Sequence, residues 1–222
     1  MLAVLAITLG FAALVLAVLV QSSEARGRAL PIDPNNAGPD AVLGTVAGIG
    51  ISTPVRPEDI TGLGYHPEGE SLVEISPRGR SLSSNAVTGL FTGGSTPEKI
   101  QYYVMDSASR QGPTTGALDV GASANSTVYA PVTGVVTAIR PDPVLQKDAS
   151  VVEIKPTDNP NVRISLSLVQ DLGDGIGPKS PVTAGTTELG SVADSAQVLK
   201  PQLASYTSDE GNHVTVSVSR AN

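Results

Sequence analysis

The chain contains no cysteine, so disulfides and thiolate metal sites are excluded. Tryptophan is absent too. The aromatics are five Tyr and two Phe, so the core has to be built from Val, Ile, Leu and Ala. Histidine is scarce: His66 and His213 are the two present, and any imidazole chemistry must use one or both. Basic residues are outnumbered, 14 Lys and Arg against 21 Asp and Glu, for a formal charge of −7. That balance argues against nucleic acid, which needs a basic footprint. There is no phosphate-binding glycine loop, no coiled-coil heptad, no internal repeat, and no nucleophile with a credible base.

Glycine and proline, by contrast, are plentiful, at 23 and 17 residues. Both punctuate turns, which favours a mainly β protein over a helical one. A length of 222 residues suits one domain with extensions.

Residues 2–20 carry no charge, and within them only Thr8 and Gly10 interrupt an apolar run. At roughly 1.5 Å per residue, such a run is about long enough to cross a bilayer core as a helix. It exceeds the usual apolar core of a signal peptide, about 7–15 residues, so an uncleaved transmembrane helix is expected over residues 1–20. The competing expectation is cleavage after Ala25, where Ser23 and Ala25 supply the small residues. Arg26 and Arg28 follow the run and no basic residue precedes it. Taken literally, that asymmetry puts the main chain in the cytoplasm; the expectation here is the opposite orientation, with basic residues upstream of the start at Met1.

Residues 21–50, with their Pro, Asn, Asp and Gly clusters, predict a linker, with some pairing of residues 42–51 onto the later domain left open. Residues 51–112 form a pre-domain segment. Pro57 predicts a short helical turn, Leu72 to Ser76 a short strand, and Thr96-Pro97 a helix start that runs into a strand at Gln101 to Met105. Residues 113–222 are nearly all strand and turn. Residues 162–168 alternate, placing Val162, Ile164, Leu166 and Leu168 on one face. Residues 212–219 alternate again, with His213, Thr215, Ser217 and Ser219 on one face and Val214, Val216 and Val218 on the other.

The centre of the chain is the stretch 115–139, TGALDVGASANSTVYAPVTGVVTAI. Asp119 closes a short apolar run, Val128-Tyr129-Ala130-Pro131 follows a small-residue loop, and Gly134 sits inside the next strand. A strand glycine marks a bulge or a close backbone approach. This text resembles the β-core opening of the lysostaphin-like (M23) zinc endopeptidases, which cut peptidoglycan cross-bridges. The family opens with His-x-Gly-x-Asp and continues through Val-Tyr-Ala-Pro-x-x-Gly-x-Val. The second run is intact here; in the first, Thr115 stands in the zinc-binding His position. The resemblance covers about half of the chain and implies an antiparallel β-sandwich or barrel-sandwich core.

It also implies a set of site positions. Asp119 matches the Asp ligand. Ser167 falls where a mid-domain catalytic His would be. Gly211 replaces the first His of the family's terminal His-x-His, and His213 matches the second. Asp119 and His213 are thus vestigial ligand positions, and Thr115, Asp119, Ser167 and His213 are the candidates for lining a binding groove. No catalytic residue and no metal are expected. The plainer expectations are a structural strand-end carboxylate for Asp119 and a partly exposed strand residue for His213. His66 lies in the turn-like Gly62-Leu63-Gly64-Tyr65-His66-Pro67 and is expected as a surface turn residue. Were that loop to fold over the groove, His66 would be a speculative third ligand.

The implied function is that of a pseudoenzyme of the bacterial envelope: a non-catalytic domain, single-pass in the cell membrane, with its C-terminal domain extracytoplasmic. It would bind peptidoglycan or dock a cell-wall hydrolase. The alternative is an active zinc metalloendopeptidase with a rebuilt site, and a third expectation is a purely structural envelope module. The Ala-Pro-x-x-Gly run also resembles biotinyl and lipoyl carriers, but neither Lys147 nor Lys200 has the hairpin context a carrier needs. Asn125-Ser126-Thr127 fits a glycosylation acceptor, which a bacterial envelope reading sets aside.

Overall fold

The computed structural model of the protein describes residues 41–69, 72–82 and 100–221. The expected transmembrane run, the stretch after Leu82 and the helix start at Thr96 lie outside the described residues. Among those described, the chain is mainly β, and its helical segments are short 3-10 turns.

Two sheets share one core. The small sheet is a hairpin, β1 (Val42–Val46) and β2 (Ile49–Ser52), with β4 (Ser76–Pro77) on its far edge. Its turn is Ala47-Gly48, both at positive φ, the conformation that tight hairpins demand. The large sheet uses β3 (Ile60–His66), β5 (Arg80–Leu82), β6 (Gln101–Val104), β7 (Ala117–Ala122), β9 (Gly134–Asp142), β10 (Gln146–Pro156), β11 (Val162–Gln170), β12 (Pro181–Val182) and β14 (His213–Arg220). Its order is β12-β9-β10-β11-β14-β7-β3-β6-β5, and β13 (Glu188–Val192) links β11 to β8 (Thr127–Tyr129). Most pairings are antiparallel, as expected, but β3–β6 and β5–β6 are parallel.

The alternation of apolar residues explains the packing. Val214, Val216 and Val218 of β14 are fully buried, and so are Leu118 and Val120 of β7. They meet Leu43, Val46, Ile49 and Ile51 of the small sheet in one cluster. Each such side chain contributes roughly 1.5–3 kcal/mol on burial. The Tyr65 hydroxyl donates to Leu43 O at 3.0 Å and ties the two sheets together. Gly134 is the close approach its position predicts: a Cβ there would lie 2.2 Å from Lys155 O.

The structure differs from expectation in four places along these strands. Strand structure begins at Val42, inside the stretch read as a linker, and the boundary at residue 50 falls within β2. The stretch read as a pre-domain supplies β3, which is hydrogen-bonded between β6 and β7 in the main sheet. Leu72 makes a single bridge to Ser219 rather than starting a strand.

Leu168 also leaves the face assigned to it. Between β10 and β11 the register shifts, with Ser150 opposite Val169 and Val152 opposite Leu166. Ser167 and Leu168 form the bulge, and Leu168 takes φ 62°. The strand then resumes with Val169 in the main core, while Leu168 packs with Leu145, Ala149 and Ala193 in a small second cluster.

Candidate functional site

Three strands bring the histidines to the aspartate. Ser167 on β11 is opposite Thr215 on β14, Thr215 is opposite Asp119 on β7, and Asp119 is opposite Gly64 on β3. His213 is paired with Gly121 and His66 with Ala117. Each histidine therefore stands two residues from the row of Asp119 on a neighbouring strand and on the same face. That diagonal spacing is within reach of long side chains.

The imidazoles use it. His66 Nε2 lies 3.0 Å from Asp119 Oδ1, and His213 Nε2 lies 3.6 Å from Oδ2. Thr215 Oγ1 donates to Oδ1 at 2.7 Å. His213 Nδ1 donates to Gly211 O at 2.7 Å. On its other side, His66 Nδ1 lies 2.9 Å from Pro67 O and 3.4 Å from Glu68 Oε2. Glu68 in turn lies 3.7 Å from Arg110 Nη1. Groups of alternating charge capacity thus run from Arg110 through Glu68, His66 and Asp119 to His213.

Burial makes these contacts count. Asp119 is 3% exposed and His66 2%. Leu203 and Met105 are laid over the outer face of β3 and β7. A Cβ on Gly64 would sit 2.7 Å from Met105 Sδ, and one on Gly121 would sit 2.8 Å from Leu203 Cδ2. The strand glycines are where this cover fits. Burial by itself pushes the Asp119 carboxyl up, but the neighbouring imidazoles and the Thr215 hydroxyl overcome it and hold the pKa at about 2. Burial pushes His66 down, and the hydrogen bond and charge of Asp119 outweigh it, so its pKa is raised.

The cluster floors a cavity of about 370 Å³ that opens to solvent. Asp119, His66, His213, Ser167, Thr215 and Ser217 line its base, and Arg110, Val144, Leu168, Lys200 and Gln202 its walls. One wall is latched shut: Arg110 Nη2 donates to Gln202 Oε1, and Gln202 Nε2 donates to Asp106 O at 2.8 Å. The opposite wall hangs on Asp142, which is 1% exposed. Its Oδ1 accepts from Val144 N at 2.8 Å and Leu145 N at 3.1 Å, and its Oδ2 from Leu168 N at 3.1 Å.

Of the expected groove residues, Asp119, Ser167 and His213 line the cavity, and Thr115 does not. Thr115 is buried and donates to Glu74 Oε1 at 3.2 Å instead. His213 is buried rather than partly exposed. His66 is no surface turn residue; it ends β3 and is buried against Asp119. Thr215, Glu68, Arg110 and Asp142 were not singled out by sequence. Thr215 had a legible signal, since it shares the face of His213 in an alternating strand.

Gly211 is closed to a side chain. Its φ is 78°, and a Cβ would lie 2.5 Å from Ala204 N. No imidazole can occupy that position while the turn at Gln202–Ser205 keeps its place.

Zinc, which the resemblance brings to mind, asks for three protein ligands around one point with a fourth position open. Asp119 instead turns one oxygen to each histidine, and Oδ1 also accepts from Thr215. Among the described residues, no group of three His, Cys, Asp or Glu side chains is arranged to hold a metal ion.

No family model matches the chain, and no curated protein matches it. Among solved structures it is similar to a chain of the SpoIIQ-SpoIIIAH pore forming complex, at 15% identity and a TM-score of 0.41, over 78% of this chain and 87% of that one. It is also similar to Helicobacter pylori Csd3 in its hexagonal crystal, at 16% identity and a TM-score of 0.36, covering 69% of this chain and 35% of that one. The orthorhombic crystal of Csd3 gives 14% identity and a TM-score of 0.35, over 81% and 37%. The chain thus spans about a third of the length of Csd3.

Proposed function

We propose that this protein is a non-catalytic, lysostaphin-like β-domain of the bacterial envelope, whose cavity binds peptidoglycan. In this reading the apolar run at residues 2–20 is a membrane anchor and the β-domain is extracytoplasmic. The observation that carries it is Gly211. The position where the resemblance calls for a catalytic histidine has a backbone conformation that disfavours any side chain, and a backbone nitrogen in the space one would need. A general base near an activated water is required for metal-assisted hydrolysis, and Ser167 offers a hydroxyl where the other histidine would stand. The cavity itself persists, with hydroxyls on its floor and apolar residues on its rim, a combination suited to holding a ligand.

A zinc endopeptidase rebuilt around His66 is the competing reading, because His66 does reach Asp119. The two separate in one assay: purified peptidoglycan is incubated with the protein and zinc, and soluble fragments are measured. The non-catalytic reading expects none above background. Zinc-dependent release that a chelator abolishes would overturn it.

A further inference from the structure

The loop between β6 and β7 is bent against the preference of its own residues. Arg110 N donates to Ser107 O at 2.8 Å and closes a tight turn. The two central residues, Ala108 and Ser109, take φ 48° and 68°. A turn with both central residues left-handed calls for Gly, Asn or Asp. For other L-residues that backbone costs free energy. The Arg110 side chain adds a second cost. Its Nε is buried and has no hydrogen-bond partner among the described residues, and a buried donor without an acceptor is destabilising. The shape of this loop is therefore held from outside it.

The hold comes from the segment that begins with the turn at Gln202–Ser205. Gln202 uses both ends of its amide: Oε1 accepts from Arg110 Nη2, and Nε2 donates to Asp106 O at 2.8 Å. Asp106 N donates to the Tyr206 hydroxyl at 3.2 Å. The tie from Arg110 to Glu68, at 3.7 Å, joins side chains that are 32% and 44% exposed, and such pairs contribute little. Past Arg110, Gly112 sits at φ 108° and so close to Gly69 that a Cβ would lie 2.1 Å from Gly69 O. That contact seats the far end of the loop.

We propose that residues 106–111 are a spring-loaded gate on the cavity. Gln202 is the latch, the left-handed turn and the unpartnered Nε are the spring, and Gly112 is the pivot. Ala108 and Arg110 line the closed cavity. On release the turn relaxes and water reaches Nε. The His66 side of the floor is then open to a ligand larger than the closed volume of about 370 Å³ admits. The gate governs access to the cavity, so it stands whether or not peptidoglycan is what enters.

Limited trypsin digestion of the full chain in detergent tests it, with cleavage at Arg110–Gln111 followed by mass spectrometry and Tm measured in parallel. When reclosing outpaces cleavage, the nicking rate follows the open population. Gln202→Leu is expected to be nicked at that bond about tenfold faster or more, with other tryptic sites cut at the wild-type rate and Tm within a few degrees. Ala108→Gly combined with Ser109→Gly relaxes the spring and leaves the latch in place. In the wild-type or the Gln202→Leu background, this pair is expected to slow nicking several-fold. Unchanged nicking in Gln202→Leu, a rise shared by every tryptic site, or a glycine pair nicked as fast as its parent or faster would each overturn the gate.

Discussion

At the scale of single residues, the cluster makes stability depend on pH from both sides. Asp119 has its pKa lowered from 3.8 to about 2. Its contribution is therefore present above the unfolded value and lost as pH falls through the folded one, an effect of about 2 kcal/mol. His66 has its pKa raised. Its contribution is full below its unfolded value of about 6.5 and fades as pH climbs through the folded one. Denaturant unfolding across pH is expected to show a plateau in mildly acidic buffer, with a fall below about pH 4 and a second, alkaline fall. The alkaline fall is expected to vanish in His66→Gln. Asp142 is a second buried carboxylate with a different duty, accepting three backbone N–H groups from two segments. Asp142→Ala leaves those donors buried without a partner, and a loss of roughly 3 kcal/mol is expected from the same unfolding measurement. Part of this level was legible beforehand. Asp119 stood out because the apolar text around it is that of a strand end. His66 did not, because Gly62, Gly64, Pro67 and Gly69 have turn composition. In the structure, Gly62 and Gly64 are strand residues where Leu203 and Met105 lie against the backbone. A glycine required by a close approach cannot be told from a turn glycine by composition.

At the scale of elements, alternation was the reliable signal. β14 keeps strict alternation and its valines are buried as read. β11 keeps it up to Leu166, and the bulge then turns Leu168 to the other side. Nothing local to residues 162–170 announces that bulge, since the carboxylate that holds it comes from Asp142 on β9. The hairpin of β1 and β2 was obscured in the same way, its alternation interrupted by Gly44 and Gly50 and its length short. The turn at Gln202–Ser205 is the element on which the site depends most. It carries Leu203 onto the sheet, holds Gln202 against Arg110, and fills the space beside Gly211. Gly211→Ala is therefore expected to be poorly tolerated. The positive φ costs about 1 kcal/mol, and the contact with Ala204 adds more by pushing the turn away. A fall of several degrees in Tm is expected, together with faster proteolytic nicking at residues 199–206. Unchanged melting and unchanged nicking would show that the turn does not hold the wall of the cavity.

At the scale of the whole molecule, the described chain is one shared core with a cavity on the outer face of its main sheet. A mainly β class was legible from the abundance of Gly and Pro. The extent of the domain was not, because strand β3 enters the main sheet from a stretch that reads as separate. The central claim is that the cavity binds peptidoglycan without cutting it. Ser167 faces that cavity from a half-buried position, so Ser167→Trp fills the space with little demand on the core. The most direct measurement is co-sedimentation of the protein with purified, insoluble peptidoglycan. The account predicts that the wild-type chain pellets with the polymer, while Ser167→Trp melts within a few degrees of it and stays in the supernatant. A wild-type chain that stays in the supernatant, or a filled cavity that pellets equally well, would contradict the account.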